Sequence, residues 1–227
     1  MQKIKAVIFD LDNTLMDFML MKEEACKAAV RAMIEAGLDM DENEAYELLM
    51  KTYFRLGLES DETFTEFLKE AGKFEHKILA AAINSYLETK NNFVKSYPHV
   101  ESVLKKLHSR GVILSIVTDA PKTKAYQRLL KMGIEPFFKF VVGYEDTESS
   151  KQTGLPLKLA LSMLKKEFPD LLNSEILMVG DSVERDVIPA RKLGLRTALC
   201  KYGQTTPETG PAEYALSDIR ELVSIVE

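Results

Sequence analysis

The side chains of this sequence best suited to acid, base or nucleophilic work stand at the ends of separate apolar runs. Asp10 and Asp12 follow the run 7–9, with Thr14 just beyond. Thr118 and Asp119 follow 112–117, and Asp181 follows 176–179 with Asp186 five residues on. Lys151 is the one lysine of the acidic, polar loop 144–154, which comes after the run 140–143. A carboxylate cluster is costly without a counter-ion. A hard divalent cation resolves it, and Mg2+ typically takes one or two carboxylates plus water and substrate oxygens. Lys151 and Thr118 then remain to hold an anion such as a phosphoryl group, with backbone N–H groups after Asp10 and Thr118 as further donors. In such a set one carboxylate attacks phosphorus, and a second acid two residues on protonates the leaving oxygen. Read alone, Asp12-Asn13-Thr14 equally suits a surface turn or a helix cap.

These residues meet only if the runs are strands of one parallel sheet, whose carboxyl ends share an edge where ligands bind. Val7, Ile8 and Phe9 form a short β-prone run of the kind buried on both faces of such a sheet. Further strand-like runs at 112–117, 140–143, 176–179 and 197–200 alternate with helical patterns. One helix starts at Pro98 and ends at Gly111; others cover 122–132, 155–166 and 184–193. A short apolar piece at 214–216 precedes a closing helix capped by Ser217 and running to Val226. That alternation indicates βαβ units. Between about 20 and 92 there is no strand-like run, only apolar residues spaced by three and four, with Asp41 and Ser60 suited to helix starts. The expected fold is α/β: a Rossmann-like parallel-sheet core over 1–17 and 96–227, interrupted by an all-α helical bundle over 18–95.

Bulk properties agree with an ordinary globular chain. Hydrophobic residues are 46% and charged residues 29% of 227. The net charge of −5 and the mixed distribution of lysines and acids argue against nucleic acid as a partner. No run approaches the roughly 20 apolar residues that span a bilayer, and the N-terminus leads into the first strand with no h-region. Two distant cysteines, Cys26 and Cys200, and no zinc-spaced Cys/His cluster fit a reduced, cytoplasmic protein. The aromatic pairs Phe64/Phe67 and Phe137/Phe138 fit core positions. The acidic stretch 145–148 fits a solvated face.

Asp10-Leu11-Asp12-Asn13-Thr14, Thr118, Lys151 and Gly180-Asp181 through Asp186 closely resemble, in order, the four motifs of the haloacid dehalogenase-like hydrolase superfamily. The resemblance covers nearly the whole chain, because the helical segment sits where that family carries its helical cap domain. It implies that Asp10 is the nucleophile, forming an aspartyl-phosphate, and that Asp12 is the general acid and then the base that activates water. Thr118, Asp119 and Lys151 would lie at the phosphoryl group. Asp10, the backbone carbonyl of Asp12, and Asp181 would hold Mg2+, with Asp186 supporting the metal shell or holding Lys151. Thr14 fits a structural hydroxyl.

The implied activity is a Mg2+-dependent phosphatase acting on a small phosphorylated metabolite, as a monomer or homodimer. Capped members of this kind resemble glyceraldehyde 3-phosphate phosphatases, and others prefer phosphoglycolate or nucleotides. A phosphomutase on the same scaffold and a catalytically silent binding module are the alternatives. A dehalogenase is disfavoured, because a halide leaving group needs no acid and that branch lacks the aspartate at the place of Asp12. One departure stands out: in many relatives proline directly follows the motif lysine, whereas here Gln152 does, and Lys158 lies close by. Lys151 is preferred because Lys158 falls inside the helix expected over 155–166.

Overall fold

The computed structural model describes residues 3–226. The described residues form two compact units: Phe18–Val94 is one, and the chain on either side of it is the other. The division leaves Lys95 with the flanking chain rather than with the helical segment.

The chain opens with β1 (Ala6–Phe9), every residue of which is buried. The helical unit follows, with α1 (Phe18–Ala36), α2 (Glu42–Leu56), α3 (Thr63–Glu70) and α4 (His76–Phe93). Its core is the expected apolar faces: Ala29 and Met33 of α1, Leu49 and Tyr53 of α2, Phe67 of α3 and Ile78 of α4 are all buried. Asp41 caps α2, accepting from the N–H groups of Asn43 and Glu44 at 2.9 and 3.2 Å. Ser60 accepts from the Glu62 N–H at 3.3 Å just ahead of α3, whose N-cap, Glu62, makes no side-chain capping bond. Lys22 is buried in this unit. Its ammonium lies 3.0 Å from the Tyr86 hydroxyl and 3.4 Å from the Tyr53 ring centre.

The other unit continues with α5 (Val100–Ser109), β2 (Ile113–Val117), α6 (Lys122–Met132) and β3 (Val141–Val142). It closes with α7 (Leu155–Glu167), β4 (Ile176–Gly180), α8 (Ile188–Lys192), β5 (Arg196–Cys200), β6 (Tyr214–Leu216) and α9 (Leu222–Ile225). Among the described residues, six strands form one sheet in the order β3-β2-β1-β4-β5-β6, and every pairing is parallel. The chain winds outward from β1 through β2 to β3, then returns to β4 on the other side of β1. The switch point, where such sheets bind ligands, therefore lies between β1 and β4. Alternate strand residues serve the two faces: Val7 and Phe9 belong to one apolar cluster, Ala6 and Ile8 to the other.

Several boundaries differ from the sequence expectations, each for a local reason. Pro98 does not begin α5, because His99 adopts a left-handed backbone (φ 70°) and the helix starts at Val100. The loop 144–154 contains two short 3-10 turns, at Tyr144–Asp146 and Lys151–Thr153. Its acids are more than a solvated face: Glu145 accepts from the Lys122 N–H at 2.7 Å at the start of α6, and Asp146 accepts from the Lys122 ammonium at 2.8 Å. The helix expected over 184–193 begins as a π turn, Val183–Val187, before α8. Pro189 has no N–H to donate back into that turn, which suits the wider winding. Asp218, not Ser217, caps the final turns, accepting from the Arg220 N–H at 2.8 Å. No helix of the described residues is long and apolar enough to cross a membrane.

Candidate active site

The register of the three central strands determines which side chains meet. Phe9 pairs with Ile116 on one side and with Val179 on the other. Asp10, Thr118 and Asp181 therefore leave the sheet at neighbouring places on its carboxyl edge. The backbone holds them there: Asp10 N–H donates to Val179 at 2.9 Å, and Thr118 N–H to Val142 at 3.0 Å.

Asp10 is buried, and its carboxylate accepts from the Thr14 hydroxyl at 3.2 Å and from the Lys151 ammonium. Thr14, expected to be structural, thus touches the Asp10 carboxylate directly. Lys151 is 1% exposed and also donates to Asp186 at 2.6 Å. The altered sequence after this lysine does not move it out of the cluster: the 3-10 turn Lys151–Thr153 is pinned by Asp119, which accepts from the Lys151 N–H at 2.7 Å. Asp119 enters the site through that bond. Lys158 is exposed on α7. Burial opposes the Lys151 charge, but the Asp10 and Asp186 carboxylates outweigh it and hold the ammonium above its ordinary pKa.

Asp186 is fully buried and accepts from the Ser182 N–H at 3.0 Å as well as from Lys151. The π turn aims it there, and Gly180 makes room for it. A Cβ on Gly180 would stand 2.6 Å from the Asp186 Cβ and closer still to its carboxylate. The loop 12–14 is packed in a similar way. Gly203 lies against it, where a Cβ would come within 2.7 Å of the Asn13 carbonyl carbon, and the Tyr202 hydroxyl donates to the Thr14 carbonyl at 2.9 Å.

Asp10, Asp181 and Asp186 each offer a carboxylate oxygen, and these lie within 4.8 Å of one another. Burial, then the neighbouring Asp10 and Asp186 carboxylates, push Asp181 up to about 8. Burial also raises Asp186, to about 6, against the pull of Lys151. Asp181 Oδ1 is buried and has no hydrogen-bond partner in the protein. An orphaned carboxylate oxygen beside two other acids, with one lysine among them, fits a hard divalent cation. The Asp12 carboxylate lies outside this cluster: its Oδ2 is 2.7 Å from Arg128 of α6, so the structure offers Asp186 rather than the Asp12 side chain as the third acid.

Two arginines at the site were not singled out from the sequence. Arg128 is 1% exposed on the face of α6 that also buries Ala125 and Leu129. A charged residue at i+3 on an apolar stripe was the available signal. Arg185 is half-exposed, 4.0 Å from Asp119, and the charges of Asp10 and Asp186 counter the effect of its burial to hold its pKa above the ordinary value.

Buried acids and a lysine thus meet at the switch point of the parallel sheet. Comparison with known proteins agrees. The chain matches the haloacid dehalogenase-like hydrolase family over residues 7–200. It is 32% identical to the glyceraldehyde 3-phosphate phosphatase of Methanocaldococcus jannaschii, over 99% of this chain and 97% of that one. It is also 32% identical to the enzyme of the same name from Methanopyrus kandleri, over 98% of this chain and 97% of that one. Among solved structures, the HAD-hydrolase YfnB of Bacillus subtilis, solved with magnesium bound, superposes with a TM-score of 0.71 at 20% identity, covering 99% of each chain. The chain belongs to the haloacid dehalogenase-like hydrolase family. It is an enzyme of the phosphatase branch of that family.

Proposed function

We propose that the protein is a Mg2+-dependent phosphatase that hydrolyses a small phosphorylated metabolite through an aspartyl-phosphate on Asp10. The observation that carries this reading is the Asp10 carboxylate, buried at the switch point and held by Thr14 and Lys151. The Asp10 oxygen attacks phosphorus as the ester P–O bond breaks, and the leaving oxygen takes a proton from Asp12. Water then attacks the phosphorus of the aspartyl-phosphate, passing a proton to Asp12 as the bond to Asp10 breaks. Asp10 and inorganic phosphate are released, and Asp12 is protonated for the next cycle. Thr118, with the backbone donors beside it, and Lys151 orient the phosphoryl group. Asp10, the Asp12 carbonyl and Asp181 would hold Mg2+, with Asp186 as a fourth contributor; when bound, the ion offsets repulsion between nucleophile and phosphate. The similarity to two glyceraldehyde 3-phosphate phosphatases supports a three-carbon phosphate ester as the substrate class.

The test is phosphate release from a panel comprising glyceraldehyde 3-phosphate, phosphoglycolate, pyrophosphate and hexose phosphates, with Mg2+ or with EDTA. Glyceraldehyde 3-phosphate should give the highest kcat/KM, and EDTA should silence every substrate. Undiminished turnover in metal-free buffer would refute the metal role. Exchange of phosphate between sugar positions without release would favour a mutase.

Metal binding should also show in stability, independently of turnover. Asp181 has a folded-state pKa raised above its ordinary value, so between about pH 4 and 8 the folded protein keeps a proton that the unfolded chain has lost. The metal-free fold should therefore lose stability as pH rises through that window. A cation needs the ionised carboxylates, so it competes with that proton. The gain in Tm on adding Mg2+ should be larger at pH 8 than at pH 5. An equal gain at both would place binding elsewhere.

A further inference from the structure

We infer that Arg128 is the positioning residue for the acid–base group of this enzyme. It holds the Asp12 carboxylate in the orientation that delivers a proton to the leaving oxygen. The inference rests on the reading of Asp12 as acid and base given above.

The first observation is where the charge lies. Arg128 projects from α6 with its side chain only 2% exposed, and its Nη1 stands 2.7 Å from Asp12 Oδ2. The two residues are 116 positions apart, so packing of α6 on the sheet, not local chain geometry, brings them together. The neighbouring Ala125 and Leu129 belong to the main apolar cluster. An apolar residue of similar length would suit this position at no loss of stability, because desolvating a guanidinium costs several kcal/mol and its ion pair returns little beyond that. Stability therefore gives a weak reason for the arginine, and the partner it reaches gives a strong one.

The second observation is what else controls Asp12. The main chain of the loop is well fixed. Asn13 takes a left-handed backbone with φ 60°, Gly203 packs against the Asn13 carbonyl, and Tyr202 donates to the Thr14 carbonyl. These contacts act on the main chain of the loop, and the Asp12 side chain is 21% exposed. A partly exposed aspartate on a fixed backbone still samples rotamers, and an acid that must meet a leaving oxygen cannot be loose by an ångström without loss of rate. A guanidinium presents its donors in a rigid planar fork, which suits it to fixing a carboxylate.

Such a role predicts a dependence that a structural arginine would not show. In the first half-reaction the ester P–O bond breaks and its oxygen takes the Asp12 proton. An alkoxide leaving group needs that proton; a p-nitrophenolate hardly does. The experiment measures kcat/KM, which reports the steps up to departure of the leaving group, for wild type, Arg128→Lys, Arg128→Met and Asp12→Ala. Substrates run from p-nitrophenyl phosphate to alkyl esters such as glycerol 3-phosphate. Arg128→Met should lose about 10²-fold on alkyl esters, within the usual range for a general acid, but only several-fold on the aryl ester. Arg128→Lys should recover part of the alkyl loss. In the Asp12→Ala background, Arg128→Met should cost nothing further, since residues acting as one unit are not additive.

Equal losses on both ester classes, or full additivity with Asp12→Ala, would overturn the assignment. Melting temperatures accompany each measurement. If Arg128→Met does not fold, Arg128→Lys carries the same test, because it keeps the charge and loses the fork: its loss must still grow with the leaving-group pKa. Wild-type activity of Asp12→Ala on alkyl esters would remove Asp12 as the acid and this role with it. An inactive Asp12→Ala beside an Arg128→Met loss that is the same for both ester classes would remove the role of Arg128 alone.

Discussion

Asp10→Asn should abolish phosphate release, with kcat falling by about 10⁴-fold or more, in keeping with losses seen when a nucleophile is removed. The amide occupies nearly the same volume as the carboxylate but cannot open with an attack on phosphorus. The substitution also removes one of three clustered acids, while Asp186 remains to hold Lys151 at 2.6 Å. The fold should therefore keep its Tm or gain slightly, since a buried anion facing two others has been neutralised. That pairing of outcomes separates lost chemistry from lost structure. Wild-type protein quenched in acid during turnover of a radiolabelled ester should carry label that hydroxylamine releases, as expected of an acyl phosphate. Asp10→Asn should carry none. Label retained in the variant, or turnover near wild type, would remove Asp10 as nucleophile.

The site was legible in the sequence to the degree that its residues follow strands. Asp10, Thr118 and Asp181 each stand at the end of a short apolar run, and a parallel sheet brings such positions to one edge whatever lies between them. Lys151 was harder, because its loop carries no strand-like spacing and no proline after the lysine. Its place depends on Asp119 gripping its N–H across 32 residues of sequence. The partners that set the geometry were less visible. Arg128 stands in a helix whose other charges, Lys122, Lys124 and Lys131, make it look like one more solvated residue, and only its place on the apolar stripe distinguishes it. Asp186 was legible from its motif, but the way it is aimed was not. A regular helix over 184–193 says nothing of the π turn that aims Asp186 at Lys151 and at the Ser182 N–H. The fold itself was plainer: the alternation of strands and helices suffices for a parallel sheet, while the short 3-10 turns and the true helix starts depend on backbone geometry such as the left-handed His99.

Gly180→Ala should strip the site of its order without replacing any acid or base. Gly180 ends β4 beside the central strand, and the Asp186 side chain lies directly over its Cα. The added methyl cannot be accommodated by a small rotation, because Asp186 is tied on both oxygens, to Lys151 at 2.6 Å and to Ser182 N–H at 3.0 Å. Its backbone is tied as well, by the Asp186 N–H to the Ser182 carbonyl at 3.0 Å. Either β4 shifts or Asp186 leaves. In the second case Lys151 keeps only Asp10 of its two anions. Overpacking of this kind costs about 1–3 kcal/mol, which for a chain of this size lowers Tm by roughly 2–4 °C per kcal/mol. Activity should fall further than stability, by about 10²-fold, since displacement of a positioning group by an ångström is enough for that. The cause can be isolated with Asp186→Gly, which removes both the carboxylate and the Cβ that the new methyl would meet. In that background Gly180→Ala should be nearly neutral in Tm. Equal destabilisation in both backgrounds would show that the glycine serves the strand rather than the carboxylate above it.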